Sequence, residues 1–203
     1  MASHAAAVHA GPPPGYGAIG RYDRVMVGLI TFLASEVMLF GAFFTAFFYV
    51  RYSTPFYQHI GYPPAPFEFP KDSTGINTAI LISSSFTMHW ALVSIKRNNR
   101  TGLILGLLVT LIMGLTFLGL QMREYHDVGF TPEDGAFAST FFCLTGLHGT
   151  HVLVGATLLA IAFVRSLRGH YSVEHHMGVE LTGIYWHFVD LVWVILYTTV
   201  YIL

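Results

Sequence analysis

The 203-residue chain is poor in charged residues and has one cysteine. Only 10% of its residues are Asp, Glu, Lys or Arg, whereas soluble domains carry about 25%. This deficit, together with 54% hydrophobic residues, predicts an integral membrane protein. A net charge of −1 offers no basic surface for nucleic acid. The lone Cys143 excludes an intramolecular disulfide.

Five apolar runs are long enough to cross a bilayer, and they predict an all-α bundle of five transmembrane helices. The runs lie at about residues 25–50, 76–95, 102–122, 136–164 and 181–203. The connections leave no room for a separate soluble domain, so residues 21–203 are predicted to form one domain. Residues 1–20 are rich in Ala, His, Gly and Pro and are predicted to be a flexible tail. They lack the charged and apolar regions of a signal peptide.

Basic residues predict the orientation. The N-terminal lead-in and the second and fourth connections share one side and carry Arg21, Arg24, Lys96, Arg97, Arg100, Arg165 and Arg168. The opposite side carries Arg51, Lys71 and Arg123. The positive-inside rule therefore predicts a cytoplasmic N-terminus and an external C-terminus.

Two connections contain local structural signals. The short turn at residues 98–100 predicts that the second and third helices are antiparallel neighbours. Before the fourth run, Thr131 is predicted to cap the helix, with Pro132 at its first position and acidic residues in its first turn.

Glu36 is the one charged residue in the run 25–50. It is the twelfth residue of that run, which places it roughly 18 Å along a helix and near mid-membrane. An ionised carboxylate there costs at least ~2.5 kcal/mol, so Glu36 must be protonated, paired, wetted or hydrogen-bonded. It is interpreted either as part of a proton path or as a structural hydrogen-bond acceptor. The second interpretation is favoured because one carboxylate does not make a path across the bilayer.

Further polar residues in or near the runs are functional candidates. They are His89, Gln121, Glu124, His148, His151, Glu180, His187 and Asp190. His148 and His151 are spaced i, i+3, as are His187 and Asp190, so each pair projects from one helix face. Such histidines could ligate a metal ion or haem, or hydrogen-bond between helices. Hydrogen bonding is favoured, because the fifth run has a single His and no Cys or Met stands at a ligating spacing.

Five basic residues on the predicted cytoplasmic side could hold anionic lipid phosphates: Lys96, Arg97, Arg100, Arg165 and Arg168. Ordinary positive-inside bias explains the same residues equally well.

Five motifs occur in a fixed order along the chain. They are SEVMLFGAFF at 35–44, NTAILISS at 77–84, QMREY at 121–125, STFFCLTGLHGTHVLVG at 139–155 and YWHFVDLVWVILY at 185–197. Together they closely resemble subunit III of haem–copper cytochrome c oxidases. The resemblance extends from Arg21 to the end of the chain, and the chain is most similar to a short, five-helix bacterial form without the first two helices of larger members.

The resemblance implies a non-catalytic core subunit of a proton-pumping terminal oxidase in the bacterial cytoplasmic membrane. Its implied partners are the catalytic subunit I, subunit II, a small subunit IV and phospholipids. Haem and copper are implied for the partner subunits, with no cofactor, metal or catalytic residue in this chain. The residues implied for lipid binding or proton-uptake support are Glu36, His89, Arg97, Arg165 and Arg168. An interhelical polar network is implied for Asn77, Gln121, Glu124, His148, His151, Glu180, His187 and Asp190.

Alternatives of other classes stay open. The family has a quinol-oxidase branch and a relative associated with nitric oxide reduction. An independent proton channel or small transporter would use Glu36, His148 and Asp190. A histidine-ligated metal protein is a further alternative.

Overall fold

The computed structural model describes residues 16–53 and 71–202. Over those residues the chain is helical, without β-strands, and forms five helices long and apolar enough to cross a membrane. These are α1 (Tyr16–Ser53), α2 (Lys71–Lys96), α3 (Arg100–Asp127), α4 (Ala136–Leu167) and α5 (Met177–Tyr197). A π-helical turn, Thr198–Ile202, continues α5. The predicted all-α architecture with five spans is confirmed.

The helices extend beyond most of the predicted apolar runs. α1 begins at Tyr16, inside the predicted tail, and ends at Ser53. No proline lies between Pro14 and Pro55, so nothing in the sequence interrupts the helix before its polar ends. The rest of the predicted tail, residues 1–15, lies outside the described residues, as does the Pro-rich connection 54–70.

The turn between α2 and α3 is as predicted. Asn98 adopts a positive φ of 58°, and the Asn99 side chain accepts a hydrogen bond of 3.0 Å from the backbone N–H of Gly102. A Cβ on Gly106 would lie 2.7 Å from the Cβ of Ala91. Farther along, the Thr87 and Thr110 hydroxyls are 2.7 Å apart. Contacts therefore step backwards along α2 as α3 advances, which confirms an antiparallel pair.

The predicted N-cap of α4 is wrong. The helix begins at Ala136, and Gly135, with a φ of 120°, occupies the cap position without a side-chain hydrogen bond. The Asp134 carboxylate instead accepts hydrogen bonds from the Thr131 backbone N–H and, at 3.0 Å, from its hydroxyl. Those bonds close a turn ahead of the helix, so the acidic residues lie outside its first turn.

The core is organised around the indole of Trp186 on α5, which is fully buried. A Cβ on Gly114 of α3 would lie 2.5 Å from this ring, and one on Gly155 of α4 would lie 2.9 Å from it. The indole N–H donates to the Ser84 hydroxyl of α2 at 2.9 Å. Small residues let helices approach closely in lipid, so one ring contacts three neighbouring helices.

A second tryptophan repeats this contact two turns later on α5. Trp193 is also fully buried, and its indole N–H donates to the Thr78 hydroxyl of α2 at 3.0 Å. Its ring packs edge-on against Phe117 of α3, with the centroids 4.8 Å apart. The two tryptophans therefore fix α5 against α2 and α3 over about two helical turns.

α1 is the peripheral helix of the described bundle. Only 6% of its apolar span is buried, compared with 56% of the α5 span. Its buried side chains include Phe40 and Phe47, and Phe47 packs against Phe137 of α4 with centroids 6.2 Å apart. At its C-terminal end, Arg51 donates to the backbone carbonyl of Thr199 at 3.3 Å. Within the described residues, α1 packs mainly against α4 and α5, and its remaining faces can meet lipid or another subunit.

We predict that Gly114→Ala destabilises the bundle by about 1–3 kcal/mol, the usual cost of overpacking a tight core. The added methyl would overlap the Trp186 ring, which is rigid and enclosed. The measurement is thermal unfolding of the purified chain in detergent.

The matched control is Gly119→Ala on the same helix. A Cβ on Gly119 has no neighbour within 4 Å, so this variant should unfold like the wild type. Equal unfolding temperatures for both variants would show that the close approach to Trp186 is not a constraint.

Candidate functional site

The mid-membrane acid of α1 is paired with a histidine of α4. Oε2 of Glu36 lies 2.8 Å from Nε2 of His151. The two side chains are only 15% and 13% exposed, respectively. Of the options open for Glu36 from sequence, the structure therefore shows pairing with a side chain of another helix.

The second ring nitrogen of His151 determines how the pair shares a proton. Nδ1 lies 2.7 Å from the backbone carbonyl of Leu147, which can only accept, so Nδ1 carries a hydrogen. One further proton must then lie between Nε2 and the Glu36 carboxyl. The pair is either an imidazolium with a carboxylate or an imidazole with a carboxylic acid. In both forms it has no net charge.

Aromatic rings enclose this Glu36–His151 pair. The Phe40 ring packs on the His151 imidazole with centroids 5.0 Å apart. Tyr185 of α5 donates from its hydroxyl to the backbone carbonyl of His151 at 3.3 Å, and Phe32 stacks on the Tyr185 ring. Such surroundings leave little water to weaken the hydrogen bond.

A groove of about 340 Å³ runs along α1, α4 and α5 beside the pair. Its lining is mostly apolar, with Arg165 and Tyr171 near one end: Leu29, Phe32, Val154, Leu158, Ile161, Ala162, Arg165, Tyr171, Gly178, Leu181, Thr182 and Tyr185. The Arg165 guanidinium carbon lies 5.4 Å from the centre of the Tyr171 ring. Burial raises the pKa of Tyr171, and the nearby Arg165 charge partly offsets this. The phenol stays neutral beside the guanidinium.

Helical spacing places the pair and Arg165 along the same groove. On α1, Leu29, Phe32 and Glu36 are spaced i, i+3 and i+7, so they share one face of the helix. On α4, His151, Val154 and Arg165 share one face at i, i+3 and i+14. Fourteen residues of helix correspond to about 21 Å. If Arg165 lies at headgroup level, the pair therefore lies near the bilayer centre.

A separate polar cluster joins α5 to α2. The Ser85 hydroxyl contacts both the Asp190 carboxylate and, at 3.2 Å, Nδ1 of His187. Asp190 is buried, His187 is half-buried, and His89, one turn after Ser85 on α2, is exposed. A serine on α2 thus brings His187 and Asp190 together.

The ends of the bundle hold the other predicted network residues. At one end, Lys96 of α2 lies 3.0 Å from Glu180 of α5, which His176 also approaches at 3.3 Å. At the other, the Tyr201 hydroxyl donates to the Glu124 carboxylate at 2.6 Å, with Gln121 buried one turn earlier. Within the described residues, these polar side chains make contacts between helices at several levels of the bundle.

His148 is packed by aromatic rings. It is fully buried, with the Trp193 ring 4.8 Å and the Phe117 ring 5.8 Å from its own centroid. Neither ring nitrogen has a hydrogen-bond partner among the residues that the structure describes. Over those same residues, no group of three or more His, Cys, Asp or Glu side chains could hold a metal ion.

Arg97 and Arg168 are exposed near the helix ends, and neither is a lining residue of the groove. Among these three arginines, Arg165 is the one that lines the groove. Sequence reasoning did not identify the roles of Ser85, Tyr185 and Tyr201. Their hydroxyls bond across helices, and the sequence contains no spacing that would have paired them with Asp190, His151 or Glu124.

Comparison with known proteins identifies the family. The family model "Cytochrome c oxidase subunit III" matches residues 15–203. This chain belongs to that family. It is 42% identical over 185 residues to cytochrome c oxidase subunit 3 of Loxodonta africana, covering 88% of this chain and 69% of the relative. It is 41% identical over 180 residues to the subunit 3 of Homo sapiens, covering 86% and 67%. The corresponding values for Patiria pectinifera are 46% over 176 residues, 84% and 66%.

Membership confirms the resemblance seen in the motifs. The chain is a non-catalytic subunit III of a haem–copper oxidase, and it acts as part of cytochrome c oxidase. It is a multi-pass membrane protein within a complex of several subunits. The independent channel and the metal protein considered from sequence are therefore disfavoured.

We predict that Glu36→Gln keeps the fold of this subunit III, whereas Glu36→Leu weakens it by about 1–3 kcal/mol. A glutamine amide can donate to Nε2 of neutral His151, while leucine leaves that nitrogen buried and unpaired. The measurement is thermal unfolding of the purified oxidase, followed through loss of this subunit. Equal stability of the wild type and both variants would mean that the pair does not hold α1 to α4.

Proposed function

We propose that this subunit III serves a proton-pumping terminal oxidase of an aerobic respiratory chain. It packs on the catalytic subunit I, which carries haem and copper, together with subunit II and a small subunit IV. It stabilises the catalytic subunit, retains phospholipid, and supports proton uptake and sustained turnover. Its membrane is the bacterial cytoplasmic membrane, with the N-terminus inside.

The observation that carries the lipid role is the groove along α1 and α4. An apolar channel closed at one end by an arginine is suited to an acyl chain and its phosphate. Arg165 provides the bidentate donor that a phosphate oxygen prefers, and the Tyr171 ring supports the guanidinium from one side. Val154, Leu158 and Ile161 continue the apolar wall towards the pair.

The Glu36–His151 pair explains how an acidic residue can lie beside such an apolar groove. With one proton shared between the two groups, the wall carries no net charge beside the lipid chain. Within the pair, the proton can move between Nε2 and the carboxyl group with little structural change, because both arrangements keep the 2.8 Å contact. The pair is a protonatable group inside the bundle, and on this basis we assign the support of proton uptake to it.

Partner contact is assigned to the outer faces of the bundle. Most of α1 is unburied, and large apolar side chains such as Val37, Met38 and Tyr49 are exposed on it. On α2, the exposed His89 lies next to exposed Trp90 and near Phe86. In a membrane complex these faces meet lipid or other subunits.

The first test is co-purification. An affinity tag on this chain should isolate a complex that shows haem absorbance and copper, while the chain expressed alone should show neither. Reconstitution of the isolated chain should give no proton flux. Cytochrome c or quinol oxidation by the isolated chain, or proton flux abolished by Glu36→Gln, would contradict the proposal.

The lipid role predicts that Arg165→Gln lowers the phospholipid retained by the purified oxidase. A charge-assisted phosphate contact contributes enough free energy that retention should fall about tenfold. The measurement is mass spectrometry of the lipids that remain after mild detergent extraction.

Arg168→Gln is the matched control, since this exposed arginine lies three residues away and does not line the groove. It should retain lipid like the wild type. Equal loss of phospholipid in both variants would show that net surface charge alone determines retention, and it would contradict a phosphate site at Arg165.

A further inference from the structure

A second pocket, of about 180 Å³, lies at the opposite end of the bundle from Arg165, where α2 begins and α3 ends. Its lining is dominated by polar side chains: Ser73, Asn77, Leu120, Arg123, Glu124 and Asp127. Asn77 lies four residues inside the α2 span, or about 6 Å along the helix axis. The pocket is therefore at the level of the membrane interface.

Asn77 leaves a buried acceptor at this pocket. The side chain is only 1% exposed, and its Nδ2 donates to the Phe117 backbone carbonyl at 3.3 Å. That contact assigns the amide orientation, because the reverse would place two oxygens together. Its Oδ1 has no donor among the described residues. A buried acceptor without a donor costs about 1–3 kcal/mol, so a ligand that donates there would be favoured.

The acidic side chains at the pocket add to this surplus of acceptors. Glu124 is 6% exposed, and its Oε1 accepts from the Tyr201 hydroxyl at 2.6 Å. Asp127, one turn later on α3, is exposed at the mouth. The two carboxylates and the Asn77 carbonyl oxygen favour a ligand that is positively charged and donates several hydrogen bonds.

Arg123 restricts what that ligand can be. Its Nε lies 3.4 Å from the Asp127 carboxylate, and its side chain is exposed at the same mouth. A free metal ion would enter past this positive charge. A dipolar ligand has no such conflict, because its cation can enter the pocket while its anion stays beside the guanidinium.

We propose that this pocket binds the headgroup of an ethanolamine phospholipid. The ammonium donates to Glu124, Asp127 and Oδ1 of Asn77, and the phosphate pairs with Arg123. One water-sized group needs about 10–15 Å³ of such space, so the pocket of about 180 Å³ admits the four heavy atoms of ethanolamine. Choline is excluded from this role since its nitrogen carries methyl groups and has no N–H to donate. The site is separate from the α1–α4 groove and does not depend on the role proposed there.

The test uses the intact oxidase in nanodiscs made of phosphatidylcholine, with or without a minor fraction of phosphatidylethanolamine. After detergent extraction, phosphatidylethanolamine should be enriched over phosphatidylcholine about tenfold among the retained lipids, as one charge-assisted site predicts. Amide exchange at the start of α2 and the end of α3 should slow only in the discs that contain phosphatidylethanolamine.

Variants localise the effect to this pocket. Asp127→Asn and Arg123→Gln should each lower the enrichment and restore fast exchange, and both positions are exposed enough to leave the fold intact. Glu133→Gln, an exposed acid in the next connection, is the matched control and should behave like the wild type. Arg165→Gln should also leave this exchange unchanged, which separates the pocket from the groove.

Three results would overturn the proposal. One is equal retention of the two lipids. Another is enrichment that survives both pocket variants. The third is that free ethanolamine or Ca²⁺, added to pure phosphatidylcholine discs, slows amide exchange as much as phosphatidylethanolamine does. Either result would show that the pocket binds small cations and does not require a lipid.

Discussion

The described bundle depends on the space that two glycines leave for one indole. Gly114 and Gly155 lie on different helices, and at each position a Cβ would come within 3 Å of the Trp186 ring. Apolar side chains gain little from one another in lipid, so close fit and hydrogen bonds must select one arrangement of helices. The indole does both, because its faces fill the glycine slot and its N–H reaches Ser84.

α1 lies outside that arrangement and needs another means of attachment. It contacts α4 and α5 through Phe40, Phe47 and the Glu36–His151 pair, with Arg51 reaching the carbonyl of Thr199 at its C-terminal end. Packing alone would let an apolar helix slide along its neighbour, whereas a hydrogen bond between two nearly buried groups defines one register. The same register places Phe32 and Leu29 opposite Val154 and Leu158, and so shapes the groove.

Local features of the fold were accessible from sequence, and pairings across helices were not. The spans follow from apolar run length, and the α2–α3 turn follows from its two asparagines. The prediction for Thr131 failed because Asp134 bonds back to it and Gly135 takes a conformation that favours glycine. For the histidines, i, i+3 spacing showed a shared face and nothing about its neighbours. His148 meets Trp193 and Phe117, while His151, less than one turn away, meets a carboxyl group.

The hydrogen bond between His151 and the Leu147 carbonyl explains how Glu36 can lie in the middle of the membrane. The Leu147 carbonyl holds the hydrogen of His151 on Nδ1, so Nε2 is always directed at the carboxyl group with one proton between them. An acid without that partner would bear the full cost of charge in hydrocarbon, and a histidine without the acid would leave a buried nitrogen unpaired. Paired, they form a contact without net charge, so one hydrogen bond both attaches α1 to α4 and removes the cost of an isolated charge in hydrocarbon.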